Sequence, residues 1–346
     1  ILTSVRILHV DSGREWRGGQ NQVRLLCREL ARVPDVEQVL VTKAGGALAR
    51  RAAAEGIAVR PVPWGPGLDP RAWWGLVRAV RWARPDLVHA HDSHALALAA
   101  TLGRPLVATR RVDFPVRRFS AWRRVRRIVA ISEAVKRVLV RAGIPPEVIT
   151  VVPSGIDPDE VRRGAARRLD IRGRLGLAPA TPLAVNVAAL VDHKDHRTLV
   201  RAAAAARPLR PELHWVIAGE GALRGSLEAE IARLQLSDRV HLAGYLEEAD
   251  ALIAEATVFV MSSKEEGLGS VILNALALGK PVVATAGGGI PEILPPRALV
   301  PPGDAEALAR KVVDALTLPP SPVALPPTFT AAAMAQGVLA VYRSFF

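Results

Sequence analysis

One cysteine among 346 residues rules out an internal disulfide and any cysteine-built metal cage. That residue, Cys27, lies in a helical pattern and reads as a small buried apolar side chain. Aromatic residues are scarce, at 4%, and no nucleic-acid recognition module is visible, so a nucleic-acid partner is not expected. Long apolar runs are missing too. Stretches such as 95–103 fall well short of the roughly 20 residues that span a bilayer. The opening residues, 1–10, lack the basic-then-apolar plan of a signal peptide and read as a strand. A cytoplasmic chain is expected, with a peripheral seat on the inner face of the cell membrane as a further expectation.

What is abundant is apolar residues and arginine. Half of the residues are apolar and the mean hydropathy is +0.19, enough for a sizeable core, and the length suggests about two domains. The net charge of +13 would attract any polyanion. It is concentrated between Arg104 and Arg137, where eleven Arg/Lys face two acids, with Phe114, Phe119 and Trp122 interleaved. Two readings stand: a surface for an anionic partner, or arginine bias without function, since lysine is scarce throughout.

Short apolar runs alternate with helical spacings along the chain. Strands are predicted at 5–10, 36–41, 59–62, 86–90, 106–109, 127–131 and 148–152, and again at 183–188, 214–218, 240–243, 258–261 and 281–284. Helices fit between them, at 22–31, 47–55, 70–84, 95–102 and 132–142, then at 197–206, 223–234, 249–254, 270–278 and 305–316. This alternation predicts two doubly wound parallel-sheet domains of Rossmann-like α/β class, 1–160 and 161–330, meeting near a glycine- and charge-rich seam at 155–178. A helix over 331–346 closes the chain behind a proline-rich connector. Such folds bind ligands beyond the carboxyl ends of their strands, so a cleft between the two halves is expected to hold the site.

The most informative segment runs from Ser262 to Leu294. After the strand ending at Met261 come Glu265 and Glu266, then Gly267-Leu268-Gly269, then a helix from Ser270. Glycines let backbone N–H groups approach an anion, and the helix N-terminus favours negative charge. A carboxylate in the same turn opposes phosphate and suits hydroxyls. Together they fit a sugar joined to a diphosphate. The bland alternative is an ordinary strand–helix turn, which the second run, Gly287-Gly288-Gly289, makes less apt.

At these residues the chain resembles the retaining GT-B glycosyltransferases of family 4. The resemblance rests on Glu266-Gly267-Leu268-Gly269, Gly279-Lys280-Pro281-Val282-Val283-Ala284 and Gly288-Gly289-Ile290-Pro291-Glu292. It extends to Gly18-Gly19, to Pro85-Asp86-Leu87-Val88-His89-Ala90-His91, and to Ala130-Ile131-Ser132. It continues through Val152-Pro153-Ser154-Gly155-Ile156-Asp157, Gly219-Glu220-Gly221 and Gly244-Tyr245-Leu246. The resemblance implies transfer of a sugar from a nucleotide diphosphate sugar to a glycan, lipid-linked or lipopolysaccharide-type acceptor, with no metal or other cofactor. It implies that Lys194 neutralises the diphosphate, Glu266 holds the sugar hydroxyls and His91 contacts the sugar. It places Leu268, Gly269 and Ser270 at the diphosphate, Gly18 and Gly19 in a loop over it, Gly219 and Glu220 in a donor-domain turn, and Tyr245 and Leu246 near the base.

The chain departs from the family pattern twice. Ala189 stands where the family has a phosphate-clamping arginine, and Asn274 where a second acid holds the ribose. Asparagine still bonds hydroxyls, whereas a lost bidentate arginine needs a replacement. His193, Arg197, Arg110 and Arg111 are the candidates. On the acceptor or membrane side, Arg110, Arg111, Arg117, Arg118 and Trp122 are expected to form a basic–aromatic face, joined by Trp73, Trp74 and Trp82. Asp157-Pro158-Asp159 reads as a turn and helix cap rather than a metal motif, and His89, His91 and His94 as weak evidence for a metal. Rival functions are a dinucleotide-dependent dehydrogenase at Gly219–Gly225, a sugar-nucleotide 2-epimerase of the same fold, and a non-enzymatic polyanion- or membrane-binding protein. In the first, Glu220 would sit where pyrophosphate belongs.

Overall fold

The computed structural model describes residues 4–116, 121–317 and 323–346. The chain divides into two compact units, Ile1–Ile156 with Pro327–Phe346 and Asp157–Pro326. Each has its own sheet and core.

Unit 1 is built on seven parallel strands: β1 (Val5–Asp11), β2 (Val36–Lys43), β3 (Val59–Val62), β4 (Leu87–Ala90), β5 (Leu106–Arg110), β6 (Arg127–Ala130) and β7 (Ile149–Val151). Their order is β3-β2-β1-β4-β5-β6-β7. The strands read as continuous apolar runs because helices cover the sheet on both faces. The order reverses between β1 and β4, so the loops after these two strands diverge and leave a crevice at their carboxyl ends. The final helix, Ala331–Arg343, packs Met334, Val338 and Tyr342 against Ile7, Leu26, Leu87 and Val129. Among the described residues Tyr342 is the largest fully buried side chain, a burial that stabilises by roughly 2–3 kcal/mol. The chain re-enters unit 1 through a parallel bridge between Ile156 and Thr330. Gly155 is required there, since a Cβ would lie 2.1 Å from the Thr330 carbonyl oxygen.

Unit 2 holds six parallel strands: β8 (Leu183–Val187), β9 (His214–Ala218), β10 (Val240–Gly244), β11 (Val258–Met261), β12 (Val282–Thr285) and β13 (Leu299–Val300). Their order is β10-β9-β8-β11-β12-β13, with the reversal between β8 and β11. Its core joins Trp215, Ile217, Val260 and Val283 to Leu199, Leu227 and Leu308.

Helix starts differ from the sequence reading where a cap decides them. Asp92 accepts from the N–H groups of His94 and Ala95, so that helix runs Ser93–Ala99 rather than 95–102. Gly18 and Gly19, expected in a loop, are the first residues of the helix Gly18–Leu30. Asp157 caps the helix Pro158–Ala165 by accepting from Asp159 and Glu160 N–H, as its turn-like sequence predicts. Cys27 is buried and free.

Candidate active site

In unit 2, the loops after β8 and β11 are stitched together at the carboxyl ends of these neighbouring strands. A single 3-10 turn, Asp192–Lys194, follows β8, and Asp195 then takes a left-handed conformation and caps the helix His196–Ala206. The Lys194 carbonyl accepts from Ser262 Oγ at 2.9 Å, and the His193 carbonyl accepts from Lys264 N–H at 2.9 Å. These bonds fix the backbone on both sides of Lys194. Its ammonium pairs with the Glu266 carboxylate, and both side chains keep some exposure, 17% and 14%. Ser263 Oγ reaches the same carboxylate.

Glu266 opens the glycine turn. Gly269 has φ +86° and precedes the helix Ser270–Ala277, which no side chain caps. The Glu266 carbonyl accepts from Gly289 N–H at 2.8 Å. The second glycine run presses against this turn: a Cβ on Gly289 would lie 2.4 Å from the Gly267 carbonyl oxygen, and one on Gly287 2.3 Å from that of Ser263. These glycines are spent on close backbone packing, which holds the turn in place. Leu268 is buried, so only its backbone is available to a ligand.

The remaining donor-side residues scatter around this centre. A Cβ on Gly219 would meet the Ala188 carbonyl oxygen at 1.9 Å, so this glycine lets the loops after β8 and β9 touch. Glu220 pairs with Arg224 at 2.8 Å. Tyr245 is 59% exposed and Leu246 half-buried. Asn274 donates to Asp250 Oδ1 at 2.6 Å, which puts a carboxylate beside the position where the family acid is missing. Burial raises the Asp250 pKa against that bond.

In unit 1, the ends of β1 and β4 bring His89, His91 and Arg111 together with His9, Asp11 and Tyr342, which the sequence reading did not assign. His9 and His89 are register partners on β1 and β4. His9 Nδ1 lies 3.0 Å from His91 Nε2, and the His89 and His91 ring centroids are 4.1 Å apart. His89 bonds Tyr342 OH at 2.5 Å and Thr109 Oγ1 at 2.7 Å. Arg111 donates to the His91 carbonyl at 2.9 Å and lies 3.5 Å from its Nδ1. Burial holds all three imidazoles neutral, with His9 lowered to about 3. Asp11, at the end of β1, is pushed up to about 6 by burial and by the Asp92 charge, partly offset by Gly13 N–H and Gln20. Asp92 is tied to Ser12 by two bonds of 2.7 Å.

Several expectations change here. The histidine cluster contains His9 instead of His94, which is exposed. Its ligand atoms lie within 4.8 Å of one another; both His89 nitrogens are bonded to hydroxyls, a guanidinium abuts His91, and His9 Nε2 has no partner among the described residues. His91 is 4% exposed, its ring packed against those of His9 and His89. Trp122 is not on a surface: it is buried, with the Arg110 guanidinium 5.4 Å from its ring centre. Arg110 donates to the carbonyls of Val112 and Phe114 and organises that loop. Arg110 and Arg111 are therefore committed within unit 1, whereas Arg197 is exposed on the first turn after Lys194. Arg117 and Arg118 lie outside the described residues, as does Phe119.

Two doubly wound parallel sheets, each with polar groups gathered at its reversal point, define the GT-B class of fold. Comparison with known proteins agrees. Residues 16–160 match the glycosyltransferase family 4 model and residues 168–326 that of the glycosyl transferases group 1. The chain is 30% identical over 266 residues to the 2-deoxystreptamine glucosyltransferase of Streptomyces kanamyceticus, covering 74% of this chain and 68% of that protein. It is 32% identical over 176 residues to one component of the human phosphatidylinositol N-acetylglucosaminyltransferase, spanning 50% of this chain but only 34% of that relative. Among solved structures, Anabaena Alr3699/HepE in complex with UDP and glucose superposes with a TM-score of 0.82 at 20% identity, over 98% of this chain and all of that one. The chain belongs to family 4 of the GT-B glycosyltransferases.

Proposed function

We propose that the protein transfers a hexose, with retention and without a metal, from a nucleotide diphosphate sugar to a glycan, lipid-linked or lipopolysaccharide-type acceptor. The observation that carries this reading is the Lys194–Glu266 pair, held at the carboxyl ends of β8 and β11 beside an uncapped helix N-terminus. In the donor complex Lys194 turns to the diphosphate and stabilises the charge that develops as it leaves. Glu266, released from the ammonium, accepts from sugar hydroxyls. The N–H groups of Leu268, Gly269 and Ser270 meet phosphate oxygens at the helix start. Asn274 with Asp250 takes the ribose, and Tyr245 and Leu246 border the base.

In the unit 1 crevice His91 is a fixed, neutral imidazole, and the family resemblance assigns it to the sugar-facing wall. No separate carboxylate base is needed if the departing phosphate itself accepts the acceptor proton during attack on the same face. Catalysis is then positioning plus charge stabilisation. A phosphatidylinositol N-acetylglucosaminyltransferase among the relatives supports a lipid-linked acceptor. The test is product analysis with a panel of nucleotide sugars and acceptors. Appearance of an acceptor product with the donor's anomeric configuration supports the proposal. Conversion of the sugar nucleotide without acceptor would instead identify a 2-epimerase, and an inverted product or strict dependence on a divalent cation would refute retention or metal independence.

A further inference from the structure

We propose that the outward face of the helix Pro70–Ala83 seats unit 1 on an anionic lipid bilayer. Successive residues of a helix turn by about 100°, which places Arg71, Trp74, Arg78, Arg81 and Trp82 within a single arc of roughly 100°. All five are exposed, Trp74 by 55% and Trp82 by 63%. The opposite side buries Ala72, Leu76, Ala79 and Val80. The helix is pressed onto β3 so closely that a Cβ on Gly75 would lie 2.7 Å from Val62.

Apolar exposure in the described residues concentrates here. Leu68, 68% exposed, precedes the helix, so three of the eight exposed large apolar side chains fall within 15 residues. The charge is of one sign. Residues 70–85 carry four arginines and no acid. The flanking acids are neutralised, Asp69 by Arg71 at 3.1 Å and Asp86 by Arg6 at 3.3 Å, so Arg78, Arg81 and Arg84 carry the uncompensated charge of this segment. Arg60 on β3 adds a further cation, its guanidinium 5.2 Å from the Trp82 ring centre.

Tryptophan rings beside arginines, on a helix without acids, fit the boundary between headgroups and acyl chains. There the indoles insert while the guanidinium groups meet lipid phosphates. At 14 residues the helix is about 21 Å long and lies along the surface rather than crossing it. The surface sits on an element that contributes nothing to the Lys194–Glu266 centre, so it stands or falls separately from the proposed transfer.

The experiment is vesicle flotation of the full chain with phosphatidylcholine alone, and with phosphatidylcholine containing roughly 30% phosphatidylglycerol. The wild type is expected to float with the anionic vesicles only. Trp74→Ala/Trp82→Ala and Arg78→Gln/Arg81→Gln should each lower partitioning by about tenfold or more, at unchanged melting temperature because the side chains are exposed. Quenching of tryptophan fluorescence by brominated lipid should fall in the double tryptophan variant. Nucleotide diphosphate binding should not change in either variant. Equal flotation of wild type and variants, no flotation with either vesicle, or capture by an oligonucleotide in place of vesicles would overturn the assignment.

Discussion

His9 Nδ1 and His91 Nε2 face each other at 3.0 Å across β1 and the end of β4. Because Arg111 can only donate, His91 Nδ1 accepts from it, and the His91 proton sits on Nε2 and points at His9. His9 then accepts at Nδ1 and carries its own proton on Nε2, which has no partner among the described residues. A single ordered set of donors thus fixes the tautomer and plane of His91 from beneath. His9→Phe should remove this control. The expected outcome is a changed His91 tautomer signature in nitrogen NMR and about a tenfold lower kcat, with donor KM little altered. An unchanged His91 signature would mean that Arg111 alone orients the ring.

Lys194→Ala should lower kcat by roughly 10²–10³, because the developing charge on the leaving diphosphate loses its cation. Glu266→Gln should act mainly through sugar recognition, raising KM for the sugar nucleotide while leaving affinity for the bare nucleotide diphosphate intact. Steady-state kinetics paired with nucleotide titration separates the two. Equal loss of bare nucleotide affinity in both variants would contradict the division of roles.

Asp11 makes stability depend on pH. Its folded pKa of about 6 lies above the ordinary 3.8, so well below pH 3.8 both folded and unfolded forms are protonated and nothing is lost. As pH rises through this window the unfolded chain ionises first, and the folded state loses up to about 3 kcal/mol relative to its acid form. Asp11→Asn keeps an acceptor for Gly13 N–H and cannot ionise. It should flatten the decline between pH 4 and 6 and melt above the wild type at pH 7.5. Parallel melting curves for the two proteins across that range would refute the shift.

Ala189→Arg tests the family departure directly. Ala189 is exposed, on the loop after β8 just before Lys194. A charge-assisted bond from the new guanidinium should tighten nucleotide diphosphate binding by roughly tenfold. No gain would mean that another cation, with Arg197 the exposed candidate, already fills that role.

Much of the fold could be read in the sequence because buried parallel strands are continuous apolar runs. The segments at β1, β4, β8, β9 and β11 were legible for that reason, and Glu266 to Gly269 stood out because glycines, an acid and a helix start coincide. β13, two residues long, carries too little pattern to be read. Trp122 was misplaced because an arginine-rich neighbourhood suggests solvent, whereas the Arg110 guanidinium lies against its ring and the side chain is buried. His9 and Asp11 left no local signal. A polar residue at a strand end looks ordinary until the sheet order brings β1 beside β4 and sets His9 against residues 80 and more positions away. Tyr342 meets His89 across 253 residues for the same reason, and no local pattern encodes that contact.

The most direct measurement is calorimetric titration of the full chain with UDP, GDP and ADP, in wild type and Lys194→Ala. Saturable binding of one nucleotide, weakened about tenfold or more by Lys194→Ala, is the result expected of a diphosphate site at the β8–β11 reversal. Absence of binding by all three, or binding indifferent to Lys194, would contradict a donor site there.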